Sequence, residues 1–491
     1  MMFFFSTYTF GIFQEDVLSF ILILQRSGEN LLTFRSSLFD GGFFYPYTKS
    51  LLLSDNMLFS GALFYIYSLL FKPPLLALNM LLLTFLFLNF LTMYFFLKIF
   101  LKRIPSLFGA LIFSISMIRL GHACHIHLFP QFFFPLLALG LAKYEKTQKR
   151  QWLILSGLSV SLQFYFSLTL GMILIVSLIP YGIWKILNAK KKYSDLLMAA
   201  GLSLITILPL AIPFAIAGSQ GTHRKLSDAY PFSANLKSYF TPPSTHPYYS
   251  LLVGKILDPS GVNQERFLFI GFVVFIFALY GLYYLQKIKF KYRKIIFISF
   301  AFCILVSFGT NAGIYNILFY IFPGLNGFRT PARFGLTYLF FMSVFAAIGL
   351  QKARLTTIGL VFALFLLENF FTIPSQKIDT SLLQSSLFLK TIPKKEAVFY
   401  YPPLDLESIY MYQSAIHGHP IGNGFAGHNP AIYLETKSAI ENYFKKPTAQ
   451  NLEKLTKYGF KYAVNTSKEA SPIPLKRIYS DDKATVFLLT N

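Results

Sequence analysis

The sequence predicts an all-α polytopic membrane domain followed by a small extracytoplasmic α/β domain. Three observations lead there. Hydrophobic residues fill 54% of the 491 positions, Phe alone occurs 57 times, and charged residues reach only 13%, about half the ~25% of soluble domains. Apolar residues also come in long runs: 75–101 carries Lys98 as its one charge, and 267–285 carries none. Runs of about 20 apolar residues are what a bilayer core demands of a helix. After Pro374, finally, the composition turns polar, with frequent Lys and Glu. A soluble enzyme, a disordered chain and a disulfide-rich module are excluded.

Taken in order, the apolar runs give about eleven spans, near 1–14, 75–97, 104–120, 129–142, 152–166, 168–187, 196–217, 267–286, 294–309, 334–350 and 355–373. The net charge of +23 comes largely from short basic clusters between them, at 98–103, 143–150, 185–192, 287–294 and 352–354. That placement fits cytoplasmic loops under the positive-inside rule rather than nucleic-acid binding. Residues 1–373 then form a membrane domain with outer loops 15–74, 218–266 and 310–333, and 374–491 lies outside the cell membrane. Within 15–74, the stretches 17–24 and 57–70 read as interfacial helices, with Asp55 able to cap the second. In the tail, 397–401, 461–464 and 484–489 read as strands, and 430–443 and 448–458 as helices. Cys124 and Cys303 stand far apart and form no metal or disulfide framework.

Acidic residues number only 21, and 10 of them follow Pro374. Five of the other 11, Glu15, Asp16, Glu29, Asp40 and Asp55, share the first outer segment. Carboxylates at a membrane boundary are costly and commonly face a wet cavity, where they serve as bases or cation ligands. Asp16 ranks first as a catalytic acid and Asp40 second. Arg329 and Arg333 flank Pro331, which is placed to open the helix that follows. Two guanidinium groups at a helix start suit a phosphate or pyrophosphate. His122 and His125 would share a helical face, but with His127 off it and no fourth ligand adjacent, zinc is disfavoured. The run 417–429 reads as a Gly- and His-rich loop whose His419 and His428 either order over a site or simply build a turn.

Several of these stretches carry a family resemblance. Gln14-Glu15-Asp16-Val17-Leu18, Leu38-Phe39-Asp40-Gly41-Gly42-Phe43-Phe44-Tyr45-Pro46 and Ser54-Asp55-Asn56 lie in the first outer segment, and Arg119 to His127 form a His-containing turn. With Gly324 to Phe334 and His417 to Gly424, they resemble bacterial membrane proteins of the GT-C glycosyltransferase class, particularly the group related to YfhO. The resemblance implies an inverting transferase that takes a sugar from a polyprenyl-phosphate carrier on the outer face and passes it to a cell-envelope glycan, lipid or protein. It implies Asp16 or Asp40 as base or metal ligand, with Mg or Mn as the divalent cation where one is used. Glu15, Asp55, Arg119, His122, His125, Arg329 and Arg333 would bind substrate. The rival expectation is a transporter or flippase of lipid-linked saccharides. Against it, the charged residues gather at one boundary rather than at the midplane, and no two-half symmetry is visible.

Overall fold

The computed structural model describes residues 8–10, 14–34, 37–55, 57–188, 193–219, 224–243, 246, 249, 264–287, 291–370, 375–377, 382–392, 396–403, 407–467 and 475–489. The chain divides into two compact units, one of residues 1–81 with 375–491, the other of 82–374.

In the first unit, strand β1 (Tyr8–Phe10) pairs antiparallel with β2 (Ser375–Lys377). Residues 8–10 of the expected first span are therefore strand, and residues 1–7 and 11–13 of it lie outside the described residues. Both helices expected within 15–74 are present, the first longer than expected. A 19-residue helix occupies Gln14–Leu32 and a second Leu58–Leu70, and they approach so closely that a Cβ on Gly28 or Gly61 would overlap the facing backbone. The second helix is preceded by Met57 in the left-handed region (φ 47°), so Asp55 is not its N-cap.

The tail folds around a four-stranded mixed sheet of β3 (Ala397–Tyr401), β4 (Phe460–Asn465), β5 (Lys476–Ser480) and β6 (Thr485–Leu488), in the spatial order β3-β4-β6-β5. The β3–β4 pair is parallel and the others antiparallel. Helices Ala431–Lys445 and Ala449–Lys457 supply Ile440, Tyr443 and Leu455 to a core with Phe399 and Phe460. Thr448 caps the second by accepting from the Asn451 amide at 3.2 Å. Residues 42–45 dock on this layer through Tyr45 N to Ile421 O (2.9 Å) and Ile421 N to Gly42 O (2.8 Å), burying Phe43 and Phe44 completely.

The second unit is helical. Among the described residues, six helices of the chain are long and apolar enough to cross a membrane: Pro74–Leu97, Arg103–Gly121, Ile126–Thr147, Leu168–Asn188, Ser194–Gly218 and Pro331–Gly349. They match six of the expected eleven spans. Four more of those spans are shorter helices, Arg150–Phe166, Phe272–Lys287, Arg293–Ser307 and Leu355–Phe370. Paired glycines again permit tight helix contact, since a Cβ on Gly281 or Gly349 would overlap backbone of the facing helix.

Candidate active site

The second unit holds a buried cluster of ionisable side chains around an irregular turn. Helix Arg103–Ile115 stops where Ser116 turns extended (ψ 158°), a short helix Met117–Gly121 follows, and a 3-10 turn Ile126–Leu128 leads into Phe133–Thr147. Irregular backbone in an apolar bundle must find its hydrogen bonds internally, and buried side chains supply them here. Arg119 donates to Phe113 O (2.9 Å), Phe129 O (3.1 Å) and Gln131 Oε1 (2.6 Å). Asn89 also donates to Phe129 O (2.8 Å), and Gln163 to Pro130 O (2.9 Å). Gly121 lies against Pro243, whose Cγ would stand 2.7 Å from an added Cβ.

The turn presents two imidazoles to one carboxylate and a third to that carboxylate's guanidinium partner. Glu265, in the 3-10 turn Gln264–Arg266, accepts from Arg333 Nε at 2.9 and 3.1 Å and from Arg333 Nη2. His125 Nε2 lies 3.4 Å from Glu265 and His122 Nε2 4.0 Å. Arg333 Nη1 reaches His127 Nε2 at 3.0 Å. A guanidinium can only donate, so this nitrogen of His127 accepts. His122 Nδ1 sits 2.8 Å from Ile118 O and therefore donates. Cys124 Sγ donates to Gln264 Oε1 at 3.0 Å.

Burial opposes charge on Glu265, but Arg333 outweighs it and holds the carboxyl well below the usual carboxylate range. Burial likewise pushes His122 down and His125 to about 3, despite the neighbouring carboxylate. The cluster is thus an ionised carboxylate and a guanidinium framed by neutral imidazoles.

Several expected site residues take other places. Arg119 is 1% exposed, and its guanidinium donates to the turn that it braces. Arg333 is in the first turn after Pro331 as expected, yet its partner is Glu265 rather than an open phosphate site. Arg329 is exposed, with its guanidinium 5.1 Å above the Phe232 ring. Arg224, unforeseen from the sequence, stands beside that segment through its amide on Asn326 O (3.4 Å). The three histidines belong to a turn, not to one helical face.

In the first unit, Asp16 lies half-buried in the first turn of Gln14–Leu32, while the side chain of Glu15 and residue Asn56 fall outside the described residues. Asp40 Oδ1 accepts from the Gly42 amide at 2.9 Å, closing an Asx turn, and Asp55 is half-buried. His419 is fully buried, with its two ring nitrogens 2.9 and 3.0 Å from Glu396 O and Leu389 O. It therefore builds the turn instead of reaching over a site. Glu265 was not singled out from sequence. The available signal was its position immediately before the apolar run 267–285, in a stretch almost without acids.

Hard cations such as Mg or Mn prefer oxygen ligands. Around Glu265 the donors are imidazoles, a thiol and a carboxylate already neutralised by Arg333, a set that does not fit them.

The fold is shared with GT-C membrane transferases. Residues 1–491 match ArnT from Cupriavidus metallidurans bound to undecaprenyl phosphate, with 9% identity, 100% of this chain and 96% of that chain covered, and a TM-score of 0.55. The Archaeoglobus fulgidus oligosaccharyltransferase matches in its apo form (11% identity, 93% of this chain, TM-score 0.52) and in its complex with Zn and sulfate (13%, 91%, 0.53). The chain spans 66% and 64% of those two proteins' lengths. No functionally curated protein matches the sequence. A family model covers residues 35–368, and on that match the chain belongs to the family described as a domain of unknown function, DUF6311.

Proposed function

We propose that this membrane protein is a glycosyltransferase that moves a sugar from a polyprenyl-phosphate carrier to an acceptor hydroxyl on the extracytoplasmic face, with residues 374–491 on that side. The buried Glu265–Arg333 pair, ringed by three histidines on a GT-C fold, is the observation that carries this reading. The finer likeness to the YfhO-related group belongs to the same proposal. In the reaction the acceptor oxygen attacks the anomeric carbon with inversion. The bond from that carbon to the phosphate oxygen breaks, its electron pair leaves on the polyprenyl phosphate, and the acceptor proton passes to the Asp16 carboxylate. Arg329, with Arg224 nearby, offsets the charge gathering on the departing phosphate. Glu265 and His127 fix the orientation of Arg333, and a neutral His125 is able to hydrogen-bond the sugar or acceptor.

Extracted lipids and envelope glycans from wild-type, deletion and complemented strains test this. The expected result is accumulation of a polyprenyl-linked sugar and loss of one glycan modification in the deletion, restored by wild-type protein but not by Asp16→Asn or Glu265→Gln. Full restoration by Asp16→Asn removes the proposed base. Unchanged glycans, together with reconstituted protein that carries labelled lipid-linked saccharide across vesicles intact, would make the protein a flippase.

A further inference from the structure

An open apolar groove of about 510 Å³ runs along the second unit between helices Pro74–Leu97, Arg103–Ile115 and Leu355–Phe370, and neither Glu265, Arg333 nor any histidine lines it. Its walls include Phe90, Ile104, Leu107, Leu355, Ile358 and Phe362. Ile104, Leu107, Leu355 and Phe362 remain 36–68% exposed, so the wall is unfilled by the protein itself. Gly359 lies on it, and nothing stands within 4 Å of where its Cβ would be. A glycine inside a helix is unfavourable relative to alanine, and no packing contact requires this one. Its effect is to keep the groove open.

The groove has a charged end. Ile104 directly follows Lys102 and Arg103, and Leu355 directly follows Arg354. The two basic loops are tied together by the Lys102 amide donating to Gln351 Oε1 at 3.0 Å, so three exposed cations gather where the apolar wall begins. Both flanking stretches are free of acids in sequence: there is no Asp or Glu from 56 to 144, nor from 266 to 367. From Ile104 to Leu111, and again from Leu355 to Phe362, the wall extends about 10 Å at 1.5 Å per residue. That is within the ~15 Å depth of one leaflet of a ~30 Å hydrocarbon core.

We infer that this groove binds one acyl chain of an anionic phospholipid, whose headgroup phosphate is held by Lys102, Arg103 and Arg354. The site is separate from the sugar-carrier reading and stands whether or not that reading holds. Each Lys or Arg near an anionic lipid strengthens attraction about fivefold, and the apolar wall adds a chain-specific contact. The inference therefore predicts selection by headgroup charge at a fixed stoichiometry rather than diffuse solvation.

Purified full-length protein, delipidated in neutral detergent and titrated with phosphatidylglycerol or phosphatidylcholine while bound lipid is counted by native mass spectrometry, provides the test. Wild type is expected to retain one phosphatidylglycerol at least fivefold more tightly than phosphatidylcholine. The triple substitution Lys102→Gln, Arg103→Gln, Arg354→Gln should abolish that preference. Gly359→Leu, which raises helix propensity while filling the groove, should reduce phosphatidylglycerol retention at least threefold with an unchanged melting temperature. Equal retention of the two lipids by wild type overturns the inference, as does unaltered selectivity in a folded Gly359→Leu protein. Displacement of phosphatidylglycerol by lower concentrations of undecaprenyl phosphate would overturn the assigned occupant.

Discussion

Two His-rich turns of this protein look alike in sequence and do different work. Residues 417–424 in the first unit and 119–127 in the second both carry histidines, and each turn meets a buried glutamate. In the first, Glu407 accepts from the Gly424 amide (2.7 Å), Tyr433 Oη (2.9 Å) and Asn423 Nδ2 (3.2 Å). His417 bonds Tyr400 Oη and the His419 amide at 3.0 Å each. These hydrogen-bond partners are backbone and neutral side chains, and the same loop holds residues 42–45 through Phe44 N to Asn423 O (3.1 Å). In the second turn the glutamate faces a guanidinium and two imidazoles. Groups that can change charge or donate to a substrate meet there. Composition does not separate the two turns, but the chemistry of the partners does.

The largest effect should come from Glu265→Gln. Neutralising the carboxylate leaves Arg333 without its counter-charge, and breaking a buried ion pair costs roughly 3–5 kcal/mol. A fall in transfer of about 10²-fold or more is expected, measured as product formed per folded protein in membranes. The comparison breaks if Glu407→Gln lowers transfer equally. Glu407→Gln should instead cost about 1–3 kcal/mol of stability, because one of its acceptor oxygens becomes a donor facing the Gly424 amide or Tyr433. A lower melting temperature with normal turnover of the folded fraction is the expected outcome.

Acid should destabilise both turns, with different consequences. Burial lowers His122 and His125 in one and His417 in the other. The unfolded chain takes up these protons near pH 6.5, and the folded chain does so only at lower pH. Stability is therefore full above pH 6.5 and declines as pH falls below it; His125, held at about 3, accounts for about 2 kcal/mol of that loss at pH 5. Glu265, also depressed, adds a loss below about pH 4.5. Melting curves from pH 5 to 8 should flatten for His417→Gln and for His125→Gln, whereas transfer should fall only for the latter. Loss of transfer in a folded His417→Gln protein would erase the distinction between the turns.

Hydropathy made most of the second unit legible, because each long apolar helix reports itself within one stretch of chain. The tail's strands 397–401 and 484–489 and its helices 430–443 and 448–458 were readable from local period and turns, and they fall within a residue or two of their observed bounds. The grouping of residues 1–81 with the tail was not legible. It rests on contacts hundreds of residues apart, such as β1 with β2 and Tyr45 with Ile421. At the site, the sequence located Arg333 and the histidines but not their centre. Glu265 sits in a three-residue 3-10 turn with no periodic pattern around it, and Arg224 met Asn326 only through folding. The bracing task of Arg119 was not legible either, because the carbonyls that it satisfies belong to a helix break and a turn that only the fold brings to it.

The smallest effect separates a motif acid from a reacting one. Asp40 shares the stretch 15–74 with Asp16, and the sequence resemblance made both of them candidate acids. Its Oδ1 accepts from the Gly42 amide two residues on, and Asn30 Nδ2 donates to its backbone oxygen at 2.7 Å. An asparagine side chain makes the same Asx turn through its own carbonyl oxygen. Asp40→Asn should therefore change stability by less than about 0.5 kcal/mol and leave transfer within twofold of wild type. Asp40→Ala, which removes the acceptor, should lower the melting temperature without a specific loss of turnover. If Asp40→Asn instead abolishes transfer while folding normally, its negative charge, and not its turn, is what the reaction uses, and Asp40 joins Asp16 in the chemistry.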